Sequence, residues 1–123
     1  KIENDAKENN WCFSSYDSVL RNFSENTKSN NLILVKGDVK KTLNDNKNLP
    51  KKISILRLDT DFYESTKIEL EKLFPLLSKN GILIIDDYGH WQGAKKAVDE
   101  YFSRANYKPF LNIVDYSCRL IIK

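Results

Sequence analysis

Apolar and polar positions along this chain alternate in two periods, helix-like and strand-like, and the switches between them predict a layered α/β structure. Ser14 and Ser15 precede Tyr16, Val19, Leu20 and Phe23, whose i, i+3, i+4, i+7 spacing predicts a capped helix burying one stripe. Residues 32–35 then read as a short buried strand ended by Gly37 and Asp38, with a short helix over residues 39–43. Ile53–Leu58 is a second strand, apolar apart from Arg57, and it runs into Asp59, Thr60 and Asp61. Thr66 and Glu69 have the T-x-x-E spacing of a capping box, ahead of a helix whose apolar face is Leu70, Leu73, Phe74 and Leu77. Pro75 is expected to kink that helix and Asn80-Gly81 to end it. Residues 82–85 form a third strand, apolar on both faces, which runs straight into Asp86 and Asp87. A helix from near Gly93 puts Ala94, Ala97, Val98, Tyr101 and Phe102 on one face. Residues 110–114 and 118–122 close the chain as an antiparallel pair.

Strand–helix–strand repeats call for parallel strands joined by right-handed crossovers, so the carboxyl ends of those strands share one edge of the sheet. Ligands of open α/β sheets bind along that edge. The C-terminal pair makes the sheet mixed. No internal repeat interrupts this order, and the Asn- and Lys-rich stretches 1–10, 26–31 and 44–48 read as polar loops.

Composition narrows the classes. A chain of 123 residues with 41% hydrophobic and 30% charged residues fits one soluble domain, or a large piece of one, and excludes a disordered chain. No 18-residue window is continuously apolar, so no membrane span is expected. The net charge of +3 is spread along the chain without a basic stripe, so no nucleic-acid partner is expected. Cys12 and Cys118 do not form a CxxC pair and His90 is the lone histidine, which removes most zinc patterns. Both thiols are expected to be reduced and buried, in a cytoplasmic protein. With no methionine and Lys1 at its head, the sequence reads as part of a longer translated chain.

The most informative feature is chemical. Two neighbouring strands each end in paired acids, Asp59 with Asp61 and Asp86 with Asp87. Parallel neighbours lie about 4.8 Å apart, so carboxylates at equivalent ends can converge on one ion. They repel one another unless a cation sits among them or some carry protons. Oxygen-only donors favour a hard ion, most simply Mg²⁺. The competing reading is that these acids only cap the helices that follow, though a cap needs one acid and each strand end has two. His90, on the loop after the second pair, is a further candidate for proton transfer. Tyr63 and Tyr88 flank the acids and either bind substrate or pack.

The segment Leu58-Asp59-Thr60-Asp61-Phe62-Tyr63-Glu64-Ser65-Thr66, with Ile84-Ile85-Asp86-Asp87-Tyr88-Gly89 and Gly93-Ala94-Lys95-Lys96-Ala97-Val98-Asp99, resembles the macrocin O-methyltransferase family. These are class I methyltransferases that use S-adenosylmethionine and a divalent metal to methylate sugar hydroxyls, often in antibiotic biosynthesis. The similarity runs from about Cys12 to the C-terminus, and the strand-end acids resemble those of the catechol methyltransferases more distantly. The resemblance implies a three-layer Rossmann-like class I fold, with a mostly parallel sheet and a C-terminal antiparallel pair. It implies that Asp59, Asp86 and Asp87 hold the metal and that Asp61 is a candidate general base; His90 stands second by its position in the sequence. Gly37 and Asp38 match the place where such enzymes contact the adenine end of the cofactor. Thr60 stands where many relatives have glycine. The family's glycine-rich cofactor loop and ribose-binding acid, which belong to its first two strands, are not visible in this sequence. Residues 1–123 are therefore expected to be the C-terminal part of a single methyltransferase domain lacking those strands.

The expected activity is methyl transfer to a hydroxyl of a sugar or glycosylated small molecule, and the sequence admits a homo-oligomer. D-x-D after an apolar strand also occurs in metal-dependent glycosyl and phosphoryl transfer enzymes. A non-catalytic binding module whose acids only cap helices is the third reading.

Overall fold

The structure, a computed structural model, describes residues 14–26, 31–105 and 107–123. Cys12 and the polar stretch 1–10 lie outside the described residues. The chain divides into two compact units, residues 1–37 and 38–123.

In the first unit, α1 (Tyr16–Asn26) starts where the serines predict, with the Ser15 hydroxyl accepting from the Ser18 amide at 3.2 Å. Its apolar stripe is present but not buried, since no residue of α1 is, and Leu20 and Phe23 remain exposed. The strand expected at residues 32–35 does not form. That stretch has no regular structure and Ile33 is 85% exposed. An extended segment becomes a strand only when a neighbour takes its backbone hydrogen bonds, and among the described residues none pairs with it.

The second unit holds the sheet. After the short α2 (Val39–Thr42), β1 (Ile53–Leu58), α3 (Tyr63–Leu73), β2 (Leu77–Ile85), α4 (Gln92–Arg104), β3 (Asn112–Ile113) and β4 (Arg119–Ile122) follow in order. The strands lie in the order β1-β2-β4-β3, with β1 parallel to β2 and the other two pairings antiparallel. This is the mixed α/β sheet that the alternating periods require, with the C-terminal pair trimmed to six residues.

Helices α3 and α4 cover one face. Leu56, Leu58, Leu83, Ile85 and Ile121 point at Leu70, Phe74, Val98 and Phe102 to form the core. Leu70, Leu83, Ile85, Val98 and Ile121 are wholly enclosed, each contributing about 1.5–3 kcal/mol of burial. Phe74 packs edge-on against Phe102, with ring centroids 5.2 Å apart. On the opposite face Ile55 and Ile122 stay open, and no helix of this unit covers them.

Two boundaries differ from expectation. The T-x-x-E spacing is not a capping box: α3 begins four residues earlier than such a box would place it, at Tyr63, and its N-cap residue Phe62 makes no side-chain cap bond. Thr66 and Glu69 are instead buried inside the helix. At the other end α3 stops at Leu73, and Pro75 sits in a 3₁₀ turn over Phe74–Leu76, so proline ends the helix rather than kinking it. Leu77 therefore begins β2 and pairs with Ile53, with a register shift before Ile55 meets Ile82. Asn80, at φ 64°, and Gly81 lie in this strand rather than at a helix end, and they exchange backbone hydrogen bonds with Lys123. The Lys123 ammonium donates to the carbonyls of Phe74, Pro75 and Leu77, supplying the helix-end partner that the sequence assigned to Asn80-Gly81.

Candidate functional site

Because β1 and β2 run parallel and in register at Leu58↔Ile85, the loops after them start side by side. The Asp86 amide extends the ladder by one bond, donating to the Leu58 carbonyl at 3.0 Å. Asp59, Asp86 and Asp87 consequently each present an oxygen within 4.8 Å of the others. Asp61 comes up beside Asp87, close enough to raise its proton affinity.

The electrostatics follow from crowding. Burial, reinforced by Asp61, Asp59 and Asp86, pushes the Asp87 carboxyl up to about 7. Burial also raises Asp59, with Arg57 opposing it and Asp86 adding to it. Arg57, the one charged residue of β1, bridges the two loops, with its guanidinium nitrogens 3.0 Å from Asp59 Oδ2 and 3.1 Å from Asp86 Oδ2. It makes no ion pair with Asp87, whose Oδ2 is buried with no hydrogen-bond donor among the described residues. Two ionised carboxylates cannot donate to one another, so Asp61 satisfies that oxygen only if a proton lies between them.

A buried, unpartnered carboxylate oxygen among acids calls for a cation. Three oxygen donors with no imidazole or thiolate among them fit a hard divalent ion, so the residues present suit Mg²⁺.

The second loop is clamped from a distance. Gly89 N–H donates to the Ser117 carbonyl at 2.8 Å and the Ser117 hydroxyl to the Asp86 carbonyl at 2.6 Å. A Cβ on Gly89 would lie 1.8 Å from the Tyr116 carbonyl oxygen, which is why this position is glycine. His90 faces Tyr116, its Nδ1 3.3 Å from the phenol, and its ring packs edge-on against Trp91 at 5.0 Å.

Both flanking tyrosines are tied to α4: the Tyr63 phenol donates to Glu100 and the Tyr88 phenol to Asp99, each at 2.7 Å. Asp38 caps α2, accepting from the Lys40 amide at 2.9 Å, and Gly37 before it has φ 142°. Cys118 is a free, buried thiol.

Sequence reasoning found the four acids because each pair interrupts an apolar run. It passed over Arg57's bridging role, signalled only by a charge in an apolar strand. It also missed Glu69, whose carboxylate accepts from the Thr60 hydroxyl at 2.9 Å, because the T-x-x-E spacing offered a simpler use.

Known proteins resemble this chain in sequence and fold. A demethyldecarbamoylnovobiocin O-methyltransferase of Streptomyces niveus is 40% identical over 63 residues, 51% of this chain and 24% of that protein. An 8-demethyl-8-(2,3-dimethoxy-alpha-L-rhamnosyl)-tetracenomycin-C 4'-O-methyltransferase of Streptomyces olivaceus is 39% identical over 64 residues, 52% of this chain and 24% of that protein. Among solved structures, the O-methyltransferase NovP superposes with a TM-score of 0.81 at 32% identity, over 89% of this chain and 45% of its own. CalS11, a TDP-rhamnose 3'-O-methyltransferase of calicheamicin biosynthesis, gives 0.55 at 26% identity over 72% of this chain and 39% of its own. The matched region is thus under half the length of each of these relatives. The family profile described as Macrocin-O-methyltransferase (TylF) matches residues 3–122, and the chain belongs to that family.

Proposed function

We propose that this chain supplies the metal-holding and acceptor-activating part of an S-adenosylmethionine-dependent O-methyltransferase, whose acceptor is a hydroxyl of a sugar or glycosylated small molecule. The observation that carries the reading is the meeting of three carboxylates from two strand ends around a buried, unpartnered Asp87 oxygen. Asp59, Asp86 and Asp87 would hold Mg²⁺. Such an ion, when bound, lowers the pKa of an acceptor hydroxyl and offsets charge developing on its oxygen.

Asp61 takes the proton from that hydroxyl, since its carboxylate adjoins Asp87 while His90 is turned toward Tyr116. Arg57 offsets the charge of Asp59 and Asp86 and competes with an ion for their oxygens. Gly37 and Asp38 are assigned to the adenine end of the methyl donor on the strength of the family pattern. The sugar acceptor is supported by the names of the relatives, two of which denote methylation of a rhamnose moiety. The cytoplasm is the proposed location, with the free Cys118 thiol in its favour.

The test is calorimetric Mg²⁺ titration of the intact gene product together with labelled methyl transfer from S-adenosylmethionine to glycosides. Asp87→Asn is expected to weaken Mg²⁺ binding by about 100-fold and to abolish transfer. Turnover that survives both chelator and this substitution would overturn the reading, as would phosphate release or nucleotide-sugar turnover in place of methyl transfer.

A further inference from the structure

Between Asp59 and α3 the backbone reverses within three residues. Asp61 has φ 64°, and the Phe62 N–H donates across it to the Thr60 carbonyl at 2.7 Å. A turn closed i→i+2 around a left-handed, non-glycine residue is a strained form, costing about 1–3 kcal/mol. It persists only where its surroundings hold it.

Two side chains of α3 do so. The Ser65 hydroxyl lies 3.0 Å from the Thr60 carbonyl and 2.9 Å from that of Phe62. Glu69 reaches the other side of the turn, because helical side chains lean toward the helix N-terminus, and its Oε2 accepts from the Thr60 hydroxyl at 2.9 Å.

Glu69 is only 6% exposed and adjoins Leu70, so it occupies a place where an apolar side chain would pack without penalty. Burial, with the nearby Asp59 charge adding to it, pushes its carboxyl up to about 7, against the pull of the Thr60 hydroxyl. Thr60 is its hydrogen-bond partner among the described residues, and Glu69 makes no hydrogen bond or ion pair with the four aspartates at the strand ends. A buried acid spent on one loop hydroxyl has its use in that loop.

We propose that Glu69 is a positioning residue which, acting through the Thr60 hydroxyl, fixes the strained turn that sets the Asp61 carboxylate beside Asp87. This rests on the assignment of Asp61 as proton acceptor, and it adds a device built from two residues, Thr60 and Glu69, that lie outside the three-carboxylate cluster.

The test compares Glu69→Leu, Glu69→Gln, Thr60→Val and the Thr60→Val/Glu69→Leu double variant in the intact gene product. Glu69→Leu is expected to lower kcat by about 10- to 30-fold while KM for the glycoside and calorimetric Mg²⁺ affinity move by less than about threefold. Glu69→Gln, whose amide oxygen still accepts from Thr60, recovers turnover to within about threefold. In the Thr60→Val background the leucine substitution adds less than about a twofold loss, since its route is already cut. In metal-free protein, hydrogen exchange at the Phe62 amide is expected to speed up about tenfold in Glu69→Leu and to stay near native in Glu69→Gln.

Equal loss in the glutamine and leucine variants would make Glu69 a proton-transfer group and overturn the proposal. So would additive losses with Thr60→Val, or native exchange at Phe62 in Glu69→Leu. The exchange measurement needs no turnover, so a protein that transfers no methyl group overturns the enzyme reading while Phe62 still reports on the turn.

Discussion

The loops after β1 and β2 carry the same sequence signal, acids following an apolar strand, and are held by opposite means. The first is secured locally: Thr60, Ser65 and Glu69 all lie within ten residues of one another, and their hydrogen bonds brace the turn at Asp61. The second is secured from across the chain, where the Ser117 hydroxyl and carbonyl grip Asp86 and Gly89 from the β3–β4 connection, 31 residues beyond Asp86. A local brace can form with its own helix, whereas a distant clamp requires the C-terminal strands to be paired first. Arg57 ties the two loops together at Asp59 and Asp86.

The contrast breaks most sharply at Gly89. Gly89→Ala drives a methyl to within 1.8 Å of backbone that cannot swing aside, and is expected to lower stability by more than about 3 kcal/mol in urea unfolding. Calorimetric Mg²⁺ affinity is expected to fall too, because the loop that carries Asp86 and Asp87 loses its clamp.

The local brace responds to pH instead. An unfolded Glu69 titrates near 4.5 and the folded one near 7, so between these values folding takes up a proton and stability falls as pH rises. The loss approaches about 3 kcal/mol above pH 7, at 1.36 kcal/mol per unit. Glu69→Gln removes it, so unfolding curves at pH 5 and pH 8 should differ less in the variant, with the gain at pH 8. A native-like pH dependence in Glu69→Gln would assign the slope to other groups.

Removing one thread of the clamp has a smaller effect. Ser117→Ala deletes the donor to the Asp86 carbonyl and is expected to cost about 1 kcal/mol by the same unfolding measurement. Smallest is Arg57→Leu, since its side chain is 54% exposed and half-exposed ion pairs contribute within about 1 kcal/mol. Calorimetry should show Mg²⁺ binding strengthened several-fold by the loss of a competing cation. Weakened binding would instead make Arg57 an organiser of the ligands.

Much of this was legible in residue order. β1 is observed at the expected Ile53–Leu58, and α4 buries the expected Ala94, Ala97, Val98 and Phe102, because apolar periodicity reports burial directly. Asp59, Asp86 and Asp87 could be placed together because parallel strands bring their carboxyl ends to one edge. Thr66 and Glu69 misled because a capping box and a buried helical pair share one spacing, and only the position of Tyr63 at the helix start separates them. Residues 32–35 misled because strand propensity is met only when a partner is present.

Sequence by itself therefore determined β1, α4, the α/β class and which acids stand at strand ends, since these depend on side-chain period and on neighbours a few residues away. Tertiary structure alone decided that Arg57 bridges the loops, that Asp87 keeps a buried oxygen without a donor, that Glu69 turns back to Thr60 and that Gly89 admits no side chain. Each of these depends on how the chain folds back in space, across the sheet or over the turn before α3, which residue order does not encode.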